Sequence, residues 1–139
     1  MRVVLDTNIL VSGFLWDGPP NKIVQLLSEK KFTLVASAEL FEELNRVSRY
    51  DRFARRLAAL EHSPDDMVEK FETLAEFVPV RPLPQPVIPD DPSDEALLRA
   101  AVSGAASCIV TGDNHLLTLK IFQNTRIYNP VDFLQSFES

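Results

Sequence analysis

The first eight residues, Met-Arg-Val-Val-Leu-Asp-Thr-Asn, constrain the fold more than any other stretch. Val3, Val4 and Leu5 form an apolar run without polar alternation, as in a strand buried on both faces. Such strands belong to parallel sheets covered by helices. The run ends abruptly in Asp6, Thr7 and Asn8. A carboxylate directly after a buried strand is costly unless it faces a crevice. In open α/β sheets that crevice lies at the carboxyl ends of the strands. Asp6 therefore either caps the next helix or lines such a crevice.

The pattern then alternates between strands and helices. Apolar residues from Ile9 to Trp16 predict a short helix, and Asp17-Gly18-Pro19-Pro20 a turn into a second helix over Asn21 to Lys30. Phe32 to Ala36 reads as a second strand, after which Ser37 caps a helix running to about Arg49. Helices are expected over Asp51 to Leu60 and Pro64 to Glu76, and a third strand over Phe77 to Arg81. Pro82 to Pro92 holds five prolines and reads as an extended loop. Asp91-Pro92-Ser93-Asp94 opens a helix that Gly104 ends. Ser107 to Val110 is a fourth strand, Asn114 to Lys120 a helix, Arg126 to Tyr128 a fifth strand, and Asn129-Pro130 caps a final helix. This order predicts one domain over residues 1–139, a three-layer α/β/α sandwich around a mostly parallel sheet.

A chain of this length buries roughly two-thirds of its unfolded surface, so it needs no disulfide or structural metal to hold a core. The single cysteine, Cys108, sits in an apolar run and reads as a core residue. No apolar run is long enough to span a membrane and no signal peptide is evident, so a cytoplasmic protein is expected. A net charge of −6 argues against a broad electrostatic grip on nucleic acid. It is compatible with a nucleic-acid enzyme whose clustered acids form the site itself.

Three further acids stand where helix or strand geometry turns them inward. On the third helix, Leu40, Leu44 and Val47 form the apolar stripe; Glu39 and Glu42 lie on the other side, while Glu43 falls at the stripe's edge. Asp94 shares its helix face with Leu97, Leu98 and Ala101, so it points toward the sheet; the helix dipole explains an acid in a first turn but not its inward face. Thr111-Gly112-Asp113 closes the fourth strand as Asp6 closes the first, though Asp113 also suits a helix cap. Asp6, Glu43, Asp94 and Asp113 thus converge on one sheet edge. Two carboxylates at ~4 Å repel by ~4 kcal/mol at an effective dielectric of about 20, so such a cluster recruits protons or cations. All-oxygen ligands select Mg²⁺ or Mn²⁺, and the chemistry that uses them is phosphoryl-ester hydrolysis. Arg46, Arg49, Arg52, Arg55 and Arg56 form a basic cluster that is either a solvated face or a phosphate-contacting surface.

Asp6-Thr7-Asn8-Ile9-Leu10 after an apolar strand resembles the opening of PIN-domain ribonucleases. DPSDEALLRAAVSGAASCIVTGDNHLL, from Asp91 to Leu117, resembles their second signature. Within that family the chain is most similar to VapC-type toxins of toxin–antitoxin pairs. The resemblance implies a five-stranded sheet in the order 3-2-1-4-5. It also implies Mg²⁺- or Mn²⁺-dependent cleavage of RNA, a small antitoxin partner and a homodimer. Asp6, Glu43, Asp94 and Asp113 match the family's acidic set, with Thr7, Asn8, Thr111 and Asp91 as supporting neighbours. One position departs: where the family often carries another acid, this chain has His115, which either contacts a phosphate or faces solvent.

Two other functions compete. A phosphatase with an aspartate nucleophile after the first strand usually has a second acid two residues on, where this chain has Asn8. A PIN-like scaffold that binds RNA or a partner without cleaving would gain stability by discarding the acids. There is no Gly-rich phosphate-binding turn and no serine-nucleophile turn. His62 is expected in a linker without a partner.

Overall fold

The structure, a computed structural model, describes residues 1–88 and 91–138. Strand β1 (Arg2–Leu5) lies inside the sheet, with β2 (Thr33–Ala36) parallel to it on one side and β3 (Ala75–Phe77) parallel to β2 beyond. On its other side lies β4 (Cys108–Val110), also parallel. The edge is a hairpin of β5 (Ile121–Phe122) and β6 (Thr125–Tyr128), in which β6 runs parallel to β4 and β5 antiparallel to β6. The full order is β3-β2-β1-β4-β6-β5. The five expected strands stand in the expected order, and β5 adds a sixth. Two residues between a helix and a turn carry too little pattern to announce a strand. Lys120 and Gln123, both at positive φ, provide the reversals around it. β3 begins at Ala75 rather than Phe77, because pairing of Leu34 with Ala75 and Ala36 with Phe77 overrides the helical pattern that continues through Glu76.

Side chains of the inner strands alternate between two cores. Val3, Leu5, Leu34, Ala36, Cys108 and Val110 face one side. Helices α1 (Thr7–Leu15), α2 (Pro19–Ser28), α3 (Ala38–Val47), α4 (Asp51–Ala59) and α5 (Pro64–Leu74) contribute Leu10, Ile23, Leu44, Leu57 and Phe71 to that core. Val4, Val35, Ile109 and Ile127 face the other side, against Leu97, Leu98 and Ala101 of α6 (Pro92–Ser103) and Leu116 of α7 (Asn114–Leu119). The last helix, α8 (Pro130–Glu138), sends Phe133 back into the first core. Full burial of each such side chain contributes about 1.5–3 kcal/mol, which explains the run without polar alternation in β1.

Two glycines serve close approach. A Cβ at Gly13 would collide with Val24 and lie 2.6 Å from the Pro20 carbonyl oxygen, so only glycine lets α1 and α2 pack at this distance. Gly104 ends α6 but does not supply a left-handed residue: its φ is −93°, and the positive φ falls on Ala105. Gly104 is needed because a Cβ there would meet Val35 of β2.

This topology fixes the site. From β1 the chain winds to β2 and β3 on one side, and then returns through β4 on the other. The gap between the carboxyl ends of β1 and β4 is the switch point at which open α/β sheets form their crevice.

Candidate metal centre

Three carboxylates at this switch point are helix N-caps. Asp6 caps α1, accepting the Asn8 N–H at 3.3 Å. Asp91 caps α6, accepting the Asp94 N–H at 3.2 Å, and Asp113 caps α7, accepting the His115 N–H at 2.8 Å. For Asp6 and Asp113 the two readings, cap and crevice, hold at once: each cap bond uses Oδ1. The positive ends of three helix dipoles meet these acids and offset part of their mutual repulsion.

Fully buried Thr111 ties two of them together. Its hydroxyl donates to Asp6 Oδ2 at 2.7 Å and accepts the Asp113 N–H at 3.1 Å. Glu43 reaches in from α3, with Oε2 accepting from the Thr7 hydroxyl at 3.1 Å and Oε1 from the Ser93 hydroxyl at 2.8 Å. Glu42 is exposed, as the helix phase predicts. Glu39 is not the solvated residue its helix side suggested. It takes two 3.0 Å bonds from Arg99 of α6, so α3 and α6 are fastened at both Glu39 and Glu43. Neither Ser93 nor Arg99 could be singled out from the sequence, because their partners lie 50 and 60 residues earlier in the chain.

Among the described residues, Asp91, Asp94, Asp113 and His115 form a group of donors whose ligand atoms all lie within 4.8 Å of one another. Asp6 and Glu43 are not in that group and flank it, close enough that Glu43 and Asp113 both act electrostatically on Asp6. Asp94 is 3 % exposed, and its Oδ2 is buried with no hydrogen-bond partner among the described residues. Burial first, and then the charges of Asp113 and Asp91, push its carboxyl pKa up to about 7. Burial also raises the Asp6 pKa, with Glu43 and Asp113 adding to it and the bonds from Thr111 and Asn8 opposing it. The His115 ring is exposed, with Nδ1 3.7 Å from Asp113 Oδ1 and 3.9 Å from Asp91 Oδ2.

An orphaned, buried carboxylate oxygen among three other acidic or imidazole donors fits a divalent cation. Without one, such an oxygen costs about 1–3 kcal/mol or more in lost hydration. Glu95 is a further buried acid that the sequence reading did not single out. Its Oε1 accepts the N–H groups of Val87 and Ile88, holding the chain just before Asp91.

The arginine cluster divides. Arg46, Arg52 and Arg55 are exposed. Arg49 pairs with Asp65, and Arg56 donates to the Leu15 carbonyl at 3.1 Å beside the Trp16 ring. His62 has partners after all: Asp66 at 3.3 Å and the edge of Phe14. Burial pushes the Cys108 thiol up to about 12, as suits an inert core residue. A cavity of about 600 Å³ lies by Phe14, Asn21 and His62 and contains none of the clustered acids. Chemistry, not volume, marks the site. No helix among the described residues is long and apolar enough to cross a membrane.

Comparisons with curated proteins and with solved structures find no match. A family model described as PIN domain matches residues 2–115, from β1 through the whole acidic cleft to His115, and the chain belongs to the PIN-domain family.

Proposed function

We propose that this protein is a metal-dependent endoribonuclease that hydrolyses RNA phosphodiester bonds with Mg²⁺ or Mn²⁺. PIN domains are generally metal-dependent nucleases, and the Asp91, Asp94, Asp113 and His115 cluster could bind a metal. The observation that carries the reading is the orphaned Asp94 Oδ2, buried beside Asp91 and Asp113. Such an oxygen costs a scaffold stability, whereas a bound cation would satisfy it.

Asp6, Glu43, Asp94 and Asp113 are the proposed catalytic and metal-holding acids. When bound, the cation lowers the pKa of an attacking water and stabilises charge on the phosphate. The chain's own groups do the positioning. Thr111 fixes the orientation of Asp6, and Thr7 and Ser93 fix that of Glu43. Asp91 and Asp113 present carboxylates locked by their own helix caps. Asn8 lies in the first turn of α1, where its N–H holds Asp6.

The motif resemblance of Asp6 to Leu10 and Asp91 to Leu117 to VapC-type toxins leads us to a finer proposal: the toxin of a toxin–antitoxin pair, cytoplasmic, homodimeric and inhibited by a small antitoxin protein. The test is cleavage of structured RNAs by purified protein with Mg²⁺, with Mn²⁺ and with chelator. Cleavage that needs metal and is lost in Asp94→Asn is expected. RNA binding without cleavage in any metal would make the protein a scaffold. Turnover of small phosphomonoesters alone would make it a phosphatase.

A further inference from the structure

We infer that His115 supplies a nitrogen ligand to the cation held by Asp91, Asp94 and Asp113, and thereby sets this centre for Mn²⁺ or another divalent transition ion over Mg²⁺. The inference rests on the metal-site reading above and refines it.

Geometry carries it first. The His115 Nδ1 distances of 3.7 Å to Asp113 and 3.9 Å to Asp91 are too long for hydrogen bonds. Metal–ligand bonds of about 2.1 Å place two ligand atoms on one ion roughly 3.0 Å apart when adjacent and roughly 4.2 Å apart when opposite, and both His115 distances fall inside that span. The ring hydrogen-bonds to neither carboxylate, yet stands at ion-pair distance from both, within reach of an ion between them. The second observation is independent of the histidine. Asp94, a member of the same donor group, is 3 % exposed and carries an oxygen with no hydrogen-bond partner among the described residues. The Asp113 carboxylate accepts the backbone N–H of His115 itself, so the cap fixes the backbone from which the imidazole extends at the start of α7.

Ligand chemistry then decides the ion. Mg²⁺ prefers oxygen and keeps its waters, so an imidazole adds little to its affinity. Divalent transition ions accept imidazole, and their affinity for mixed nitrogen and oxygen sites rises from Mn²⁺ along the series. Three carboxylates and one nitrogen make a site that still admits Mg²⁺ but favours its competitors.

The test is calorimetric titration of the full chain with Mn²⁺ and with Mg²⁺, using wild type, His115→Ala, His115→Asp and Asp94→Asn. Wild type is expected to favour Mn²⁺ by roughly tenfold or more, and His115→Ala to lose about that factor for Mn²⁺ while Mg²⁺ binding stays nearly constant. His115→Asp should strengthen Mg²⁺ binding and narrow the ratio. Spin-echo modulation from a directly bound imidazole nitrogen should appear in Mn²⁺-loaded wild type and vanish in His115→Ala. Equal Mn²⁺-to-Mg²⁺ ratios in wild type and His115→Ala, or no nitrogen modulation, overturn the inference. If Asp94→Asn still abolishes binding in that case, the metal centre stands without the histidine. If His115→Ala weakens metal-free RNA binding with the ratio unchanged, His115 is a phosphate contact. If wild type binds neither ion, the metal centre itself falls.

Discussion

Thr111 donates its hydroxyl proton to Asp6 at 2.7 Å, joining the ends of β1 and β4 across 105 residues of sequence. This bond is the largest influence opposing the burial that raises the Asp6 pKa. Thr111→Val keeps the shape and removes the bond. Cation affinity and cleavage are expected to fall about 10–100-fold, as when a group that orients a metal ligand is lost. The pH at which cleavage sets in should move upward, because Asp6 then holds its proton more tightly. Thr111→Ser should stay near wild type. Wild-type activity in the valine variant would reduce Thr111 to packing.

Glu43 and Glu42 are neighbours with opposite fates. Glu43 is held by Thr7 and Ser93 at the cleft, and Glu42 faces solvent. Glu43→Gln is expected to abolish cleavage while Glu42→Gln leaves it near wild type, measured on the same RNA at saturating metal. Equal losses would place the catalytic face of α3 elsewhere.

Asp94 makes stability depend on pH and metal together. Its folded pKa of about 7 lies above the ordinary 3.8, so the folded chain binds this proton more tightly than the unfolded chain. The stabilisation from this group is complete below about pH 4 and is lost as pH rises toward 7, after which the curve flattens. The full shift would correspond to ~4 kcal/mol, but Asp94 titrates together with the neighbouring Asp91 and Asp113, which reduces the share of this one group to roughly 1–2 kcal/mol. In chelator at pH 8, Asp94→Asn should melt a few degrees above wild type, with the gap closing toward pH 5. Saturating Mn²⁺ should shrink or reverse that order, because only wild type gains the full stabilisation from bound ion. Melting curves across pH, with and without metal, check this. Equal destabilisation of the variant in all conditions would make Asp94 a structural residue.

RNA binding should be weak and local, since the chain as a whole is acidic. Arg46 and Arg55 are exposed, whereas Arg49 pairs with Asp65, Arg52 lies over the Phe53 ring and Arg56 donates to the Leu15 carbonyl. Two or three phosphate contacts give a log–log salt slope near −2 for single-stranded RNA, at about −0.7 per contact. Arg46→Glu with Arg55→Glu should flatten it toward zero without loss of stability. Arg56→Glu should instead destabilise the chain, by removing the bond to Leu15. An unchanged slope in the double variant would place the RNA on another face.

The sequence by itself determined the sheet and the inward acids. An apolar run such as Val3 to Leu5 can be satisfied only between two layers, and the phase of α3 and α6 turned Glu43 and Asp94 inward whatever they would meet. These are local properties, set by backbone periodicity and by the cost of burying charge. What only the tertiary structure decided is which groups meet. Ser93 on Glu43, Arg99 on Glu39 and Glu95 under Val87 are contacts between segments with no local signature. The donor group of Asp91 and His115 with Asp94 and Asp113 forms because α6 and α7 start at the same sheet edge. That depends on the crossover that sets β4 beside β1. Pairing between distant strands fixed it, and no single stretch of sequence encodes that distance.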